Sequence, residues 1–137
     1  MPEVAIKGAK IQNTMAPNHI QVRKLNPDTI PPYSSYIFDY INATIEGEIN
    51  EGSSNVFVNG KEVVFSDAKT TENDSYSLPD GWTYDSGAHT NMNGSVTNGS
   101  PTVFVNGKPL GRKGDAIKTH AGSNAIITEG SSNVFAN

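Results

Sequence analysis

The sequence predicts an all-β fold of short strands, built from three related units with loops inserted between them. Three observations carry this reading. First, one phrase occurs three times: INEGSSNVFV over Ile49–Val58, VTNGSPTVFV over Val96–Val105 and ITEGSSNVFA over Ile127–Ala136. Second, two of the copies run on into Asn59-Gly60-Lys61 and Asn106-Gly107-Lys108. Asn-Gly supplies the two positive-φ residues of a type I′ turn, the tightest hairpin connection. Third, a chain of 137 residues with 13 Gly, 8 Pro and 35% hydrophobic residues has too many turns and too lean a core for long helices.

The elements follow in chain order. Met1 to Gly8 carry charge with no apolar run behind it, so they do not read as a secretory signal. No stretch approaches the ~20 apolar residues of a membrane span. The chain is expected to be made in the cytoplasm and to leave by a route other than a signal peptide. His19 to Asp39, around Asn26-Pro27 and Pro31-Pro32, reads as an insertion, with Tyr33, Tyr36, Phe38 and Tyr40 alternating imperfectly as a strand edge. Ala43–Ile49 reads as a short strand, Gly52-Ser53 as a turn, and Val56–Phe65 as a hairpin flanked by β-branched and aromatic residues. Ser66–Gly87 reads as a second inserted loop, holding Pro79-Asp80-Gly81 and Trp82 as its anchor. Met92–Thr97, the Gly99-Ser100 turn and the hairpin Val103–Leu110 repeat the unit. Pro109 cannot donate to a ladder and belongs at an edge. Ala125–Thr128 and Gly130-Ser131 begin the third copy, which stops at Asn137 with no fused toxin domain expected beyond it. One domain over 1–137 is expected, with units at about 1–67, 68–115 and 116–137.

Composition narrows function. The net charge of −4 leaves no basic stripe for nucleic acid. There is no Cys, so disulfides are excluded. A small lean core then needs another staple, either a metal ion or a partner. The histidines point to the metal. His89 and His120 each lie ten residues before the glycine of the next copy, Gly99 and Gly130, so they occupy equivalent positions and can share an ion. His19 is expected to serve the first unit, displaced by the insertion, because Asn42 stands at the matching offset. The bland alternative is a set of unrelated surface histidines. Imidazole suits zinc first, and also iron, nickel and copper. Zinc takes four ligands, so water, Met15 or Met92 would fill the fourth position, with Asp67 and Asp115 as oxygen alternatives more suited to capping turns. Asp74, Asp80 and Asp85 do not have the spacing of a calcium loop.

Val96 to Asp115 resembles the PAAR-repeat family. The Gly99-Ser100 turn, the Val103-Phe104-Val105 strand, the Asn106-Gly107-Lys108-Pro109 hairpin and Arg112-Lys113-Gly114-Asp115 carry the likeness. The family's Pro-Ala-Ala-Arg signature survives here only as Pro109-Leu110-Gly111-Arg112. The likeness is good over 88–137, fair over 43–67 and poor over 1–42. The resemblance implies a three-sided β cone docked by its base on a trimeric β-helical spike, as in type VI secretion systems, contractile phage tails and related extracellular particles. It also implies a metal near the apex, usually zinc held by histidines and a cysteine. Without Cys, this chain must build its site differently.

The expected function is therefore a non-enzymatic, metal-stabilised tip, one per spike trimer, that helps pierce a target membrane. Separate effectors are further candidate partners. The metal ligands are expected at His19, His89 and His120. Val56, Phe57, Val58, Val103, Phe104 and Val105 are expected to meet the spike by extending its strands. Two other readings stand beside this one: a β-rich adhesin or carbohydrate-binding module using Tyr33–Tyr40 and Trp82, and a three-histidine zinc hydrolase.

Overall fold

Short β-prone runs between turn residues fold as eleven strands, and no helix forms among the described residues. The computed structural model describes residues 1–29 and 35–137. In chain order the strands are β1 (Thr14–Leu25), β2 (Tyr36–Ile49), β3 (Phe57–Val58), β4 (Lys61–Glu62), β5 (Thr70–Ser75), β6 (Thr83–Ser86), β7 (Ser95–Val96), β8 (Phe104–Val105), β9 (Lys108–Pro109), β10 (Ala116–Lys118) and β11 (Asn124–Ile126). They pair antiparallel in a four-stranded sheet β5-β2-β1-β6, a three-stranded sheet β11-β10-β7, and the two hairpins β3-β4 and β8-β9. Both hairpins turn on Asn-Gly, with φ of 52° and 79° at Asn59-Gly60 and 52° and 84° at Asn106-Gly107. These are the type I′ signs the sequence predicts.

The repeats close into a ring. Ala5 N–H donates to the Gly111 carbonyl, Gly111 N–H to Val64, and Val64 N–H back to Ala5, at 3.0, 2.8 and 3.0 Å. The isolated bridges Val4–Arg112, Ile6–Val63 and Phe65–Leu110 cycle in the same sense. The N-terminal segment makes this closure. Beside the third copy of the phrase, Glu3 and Val4 take the place of the return strand. Glu3 bridges Phe135 as Glu62 pairs with Phe57 and Pro109 with Phe104. Val4 N–H bonds the Val134 carbonyl as Val63 bonds Val56 and Leu110 bonds Val103.

The three Gly-Ser turns are stapled to one another in the same rotation. Each buried serine hydroxyl accepts N–H groups of its own turn, at Val56, Val103 and Val134. The hairpin asparagines then reach across. Asn59 Nδ2 donates to Ser131, Asn106 Nδ2 donates to Ser53, and the Ser100 hydroxyl donates to the Asn137 carbonyl. Each unit thus holds its neighbour through a serine and an asparagine at equivalent positions, by the amide at two seams and by a backbone carbonyl at the third.

The core is layered by the same triplication. Val4, Val63 and Leu110 pack with Val105 and Ala136 at the hairpin end. Ile49, Val96 and Ile127 form the next layer with Ala5, Ala9, Ile11, Val64, Ala68, Ile117 and Ala125. A smaller cluster of Ile20, Val22 and Ala43 lies under the four-stranded sheet, covered by Ile41, Tyr76, Ala88 and Trp82. Ile127 is fully buried between units, so Ile127→Ala is expected to cost about 2–5 kcal/mol, read from urea unfolding.

Two expectations need correction. Ser66–Gly87 is not simply a loop: it contributes β5 and β6, which flank the β1–β2 pair. The His19–Asp39 segment likewise holds most of β1, paired to β2 from Thr14–Ile45 to Leu25–Tyr36. β5 is hidden in the sequence because its inward face is polar, with Thr70 and Glu72 buried, whereas β1 does bury Ala16, Ile20 and Val22. Tyr36, Phe38 and Tyr40 lie on β2, where among the described residues β1 alone pairs with them, so that stretch forms an edge there. Tyr33 falls outside the described residues. Trp82 anchors the sheet as expected, with Lys24 Nζ 4.8 Å from its ring.

Candidate metal centre

Three strands or strand ends bring the histidines together. β1 carries a bulge: Ala16 pairs with Ala43 and Ile20 with Ile41, so Pro17, Asn18 and His19 together oppose Asn42. Asn18 takes a positive φ of 53° there, and its N–H donates to Asn42 Oδ1. The bulge delivers His19 to the position that Asn42 holds by repeat register. Bulges re-aim side chains in this way. His89 follows β6 and His120 follows β10, at matching offsets from the buried Val96 and Ile127. The backbone of β1 at His19 lies so close to Gly87 that a Cβ on Gly87 would strike the His19 carbonyl at 2.6 Å.

The three imidazole rings form a near-regular triangle, with centroids 5.1, 5.3 and 5.6 Å apart. Asp74 of β5 sits at its centre. Its Oδ2 is 2.9 Å from His19 Nε2 and 3.0 Å from His89 Nδ1, and its Oδ1 is 2.9 Å from His120 Nε2. The His89 backbone N–H also donates to Oδ2, at 2.8 Å. The four donor atoms all lie within 4.8 Å of one another. The Asp74 side chain is fully buried, His120 almost so, and His19 and His89 are more open.

The electrostatics favour a cation. Burial alone would raise the Asp74 pKa, but His89 hydrogen bonds and the charges of His19 and His120 outweigh it, so the carboxyl titrates below its ordinary value. A carboxylate with a lowered folded-state pKa adds stability that is full above its unfolded value and is lost as pH falls through the folded value. In chelator-treated protein, Asp74→Asn is therefore expected to destabilise at neutral pH. The gap from wild type should shrink below about pH 4, measured by urea unfolding across pH.

The donor set also fits a transition metal. His89 Nδ1 and His19 Nε2 face each other at 3.2 Å, and two lone pairs cannot do so without a proton or cation between them. Three imidazoles and one carboxylate match the nitrogen and oxygen ligands that zinc accepts in a tetrahedral site. The oxygen donor is the one sequence reasoning missed, because Asp74 was weighed only with Asp80 and Asp85 as a calcium spacing. Asp85 instead lies near Arg23, at 3.8 Å. A usable signal was the alternation Thr70, Glu72, Asp74, which puts all three on one face of a strand. Met15 is largely exposed, with Asn42 donating to its sulfur, and Met92 is also exposed. Neither belongs to the cluster. Asp115 binds Arg112 across its own turn, and Asp67 stands where the other units have Gly8 and Gly114, at φ 82° beside their 94° and 93°.

The residues expected to meet a partner divide by strand alternation. Phe57 and Phe104 are 54% and 57% exposed, and Val56 and Val103 are also exposed. Val58 and Val105 point inward. Val105 is only 4% exposed in the core, and Val58 packs against that cluster, which corrects their assignment to the surface. Phe135, 46% exposed, completes the outward set at the third equivalent position.

Among known families, the model of the PAAR motif matches residues 86–137. No curated protein matches the chain.

Proposed function

We propose, from the match of the PAAR-motif model to residues 86–137, that this chain is a PAAR-repeat protein and the metal-stabilised tip of the trimeric spike of a contractile injection machine. The observation that carries this is the closed cycle Ala5–Gly111–Val64, which gives a single chain three equivalent faces. A threefold partner can then be met by one chain without symmetry mismatch. Phe57, Phe104 and Phe135 present one exposed aromatic ring per face beside short hairpin edges. Such edges suit strand addition to a β-helical spike, and the contact would cover their apolar surface.

The metal centre serves rigidity. Ile49 and Asn42 lie on the same strand, about 23 Å apart at ~3.3 Å per residue, so the histidine cluster sits well away from the hairpin end. There the apolar core gives way to polar side chains. An ion held by His19, Asp74, His89 and His120 would tie β1, β5 and the ends of β6 and β10 in its place. Structural zinc contributes roughly 10–16 kcal/mol in small peptides, comparable to a whole domain's stability. Four protein donors leave no open position of the kind hydrolytic zinc needs, which supports a structural role. The β1–β2 pair runs on past the cluster to Leu25 and Tyr36, so the ion would brace the base of a projecting strand pair instead of the outermost point. In use, the tip would be made in the cytoplasm, loaded on the spike and driven outward against a target membrane.

A titration of the chain into a trimeric spike fragment tests this reading. Saturation at one chain per trimer is expected, and saturation at three contradicts it. The adhesin reading draws on the exposed Tyr36, Phe38 and Tyr40. It would be favoured by glycan binding that Phe38→Ser with Tyr40→Ser abolishes and that needs no spike.

A further inference from the structure

Two residues before Asp74 on β5, Glu72 occupies a fully buried position usually given to an apolar side chain. Every oxygen on it is engaged. Oε1 accepts the His120 backbone N–H at 2.8 Å and lies 2.7 Å from His120 Nδ1. Oε2 accepts the Thr70 hydroxyl, and Thr70 in turn accepts the Gly94 N–H at 2.8 Å. A side chain at position 94 would overlap Glu72 Oε2 and the Lys118 carbonyl, so the space for this carboxylate is kept by a glycine.

Resting on the metal reading above, we infer that Glu72 is the positioning residue of the centre: it turns His120 Nε2 toward the ion and supplies the second negative charge that balances a divalent cation. Both His120 nitrogens face carboxylates, Nδ1 that of Glu72 and Nε2 that of Asp74, and a neutral ring has one proton; with Nε2 given to the ion, the proton resides on Nδ1 and is donated to Glu72. Its Nε2 lone pair then faces Asp74 Oδ1 at 2.9 Å. Two lone pairs at that distance need a proton or a cation between them, and the metal reading supplies the cation. A histidine ligand whose second nitrogen donates to a carboxylate is the arrangement that fixes tautomer and raises ligand basicity at metal sites. Charge counting agrees. Three neutral imidazoles, Asp74 and Glu72 carry two negative charges, and one divalent ion brings the sum to zero. A trivalent ion would leave a buried excess, which is costly. The centre should therefore hold zinc or another divalent ion in preference to ferric iron.

Glu72→Gln keeps the shape and an acceptor oxygen but removes the charge. Zinc affinity of the full chain, measured by competition with a chromophoric chelator, is expected to fall about 10–100-fold in Glu72→Gln. The β-sheet circular dichroism should be unchanged, and one zinc should still bind at saturation. Nitrogen-15 shifts of the zinc-loaded wild type should show His120 protonated at Nδ1 and ligating through Nε2, which a merely structural Glu72 would not dictate. Unchanged affinity in the variant, or His120 ligating through Nδ1, overturns the role of Glu72 and leaves the metal centre standing. Failure of the wild type to bind any zinc removes the centre itself. If Glu72→Gln does not fold, the ligating nitrogen of His120 in the wild type decides alone.

Discussion

Replacing His89 and His120 together by alanine is expected to strip the protein of metal and to lower its thermal midpoint by on the order of 10–20 °C. Both rings touch Asp74, so the change removes two of the four donors and leaves a buried carboxylate with one imidazole partner. Stabilisation by a ligand grows with its concentration over its dissociation constant, so the whole linkage term disappears with the site. Elemental analysis should read about one metal per chain in the wild type and none in the variant. Calorimetric scans with and without chelator should converge on the variant's midpoint. A double variant that keeps full metal content would show that the ion sits elsewhere.

Changing Phe57, Phe104 and Phe135 together to serine is expected to abolish spike binding while leaving the fold intact. Each ring is about half exposed, so its loss should cost stability only on the order of 1 kcal/mol. Burying the exposed remainder of one ring against a partner is worth about 0.7–1.5 kcal/mol, which is roughly a 3–10-fold change in affinity for each single variant. Because the three faces are equivalent, the three single variants should weaken binding to similar extents. A variant set in which only one phenylalanine matters would point to an asymmetric contact. Binding measured by surface plasmon resonance against an immobilised trimeric spike fragment reads both outcomes.

The hairpins were legible because Asn-Gly has one strong local preference, and Asn59-Gly60 and Asn106-Gly107 turn with the backbone signs that preference requires. The repeat register likewise placed His89 and His120 at matching offsets, and the rings meet at 5.3 Å. The convergence of His19 depended on a bulge opposite Asn42, which no spacing rule reveals. Asp74 was hidden for a different reason. Strands are found by apolar alternation, and β5 alternates Thr70, Glu72 and Asp74 toward the interior. A polar inward face marks a site, and the same feature conceals the strand. The ring closure was legible in principle: Glu3-Val4 and Ala9-Lys10 are spaced as Glu62-Val63 and Ala68-Lys69 are. The match is split between the two ends of the chain, and a reading from left to right does not join Glu3 to Phe135.

Native mass spectrometry of the chain mixed with a trimeric spike fragment and zinc weighs the symmetry and the ion together. One species is expected, containing three spike chains, one copy of this chain and one zinc ion. Three copies of this chain on each trimer, or a complex that forms fully without metal-binding capacity in the wild type, would contradict a single chain built to imitate threefold symmetry around a bound ion.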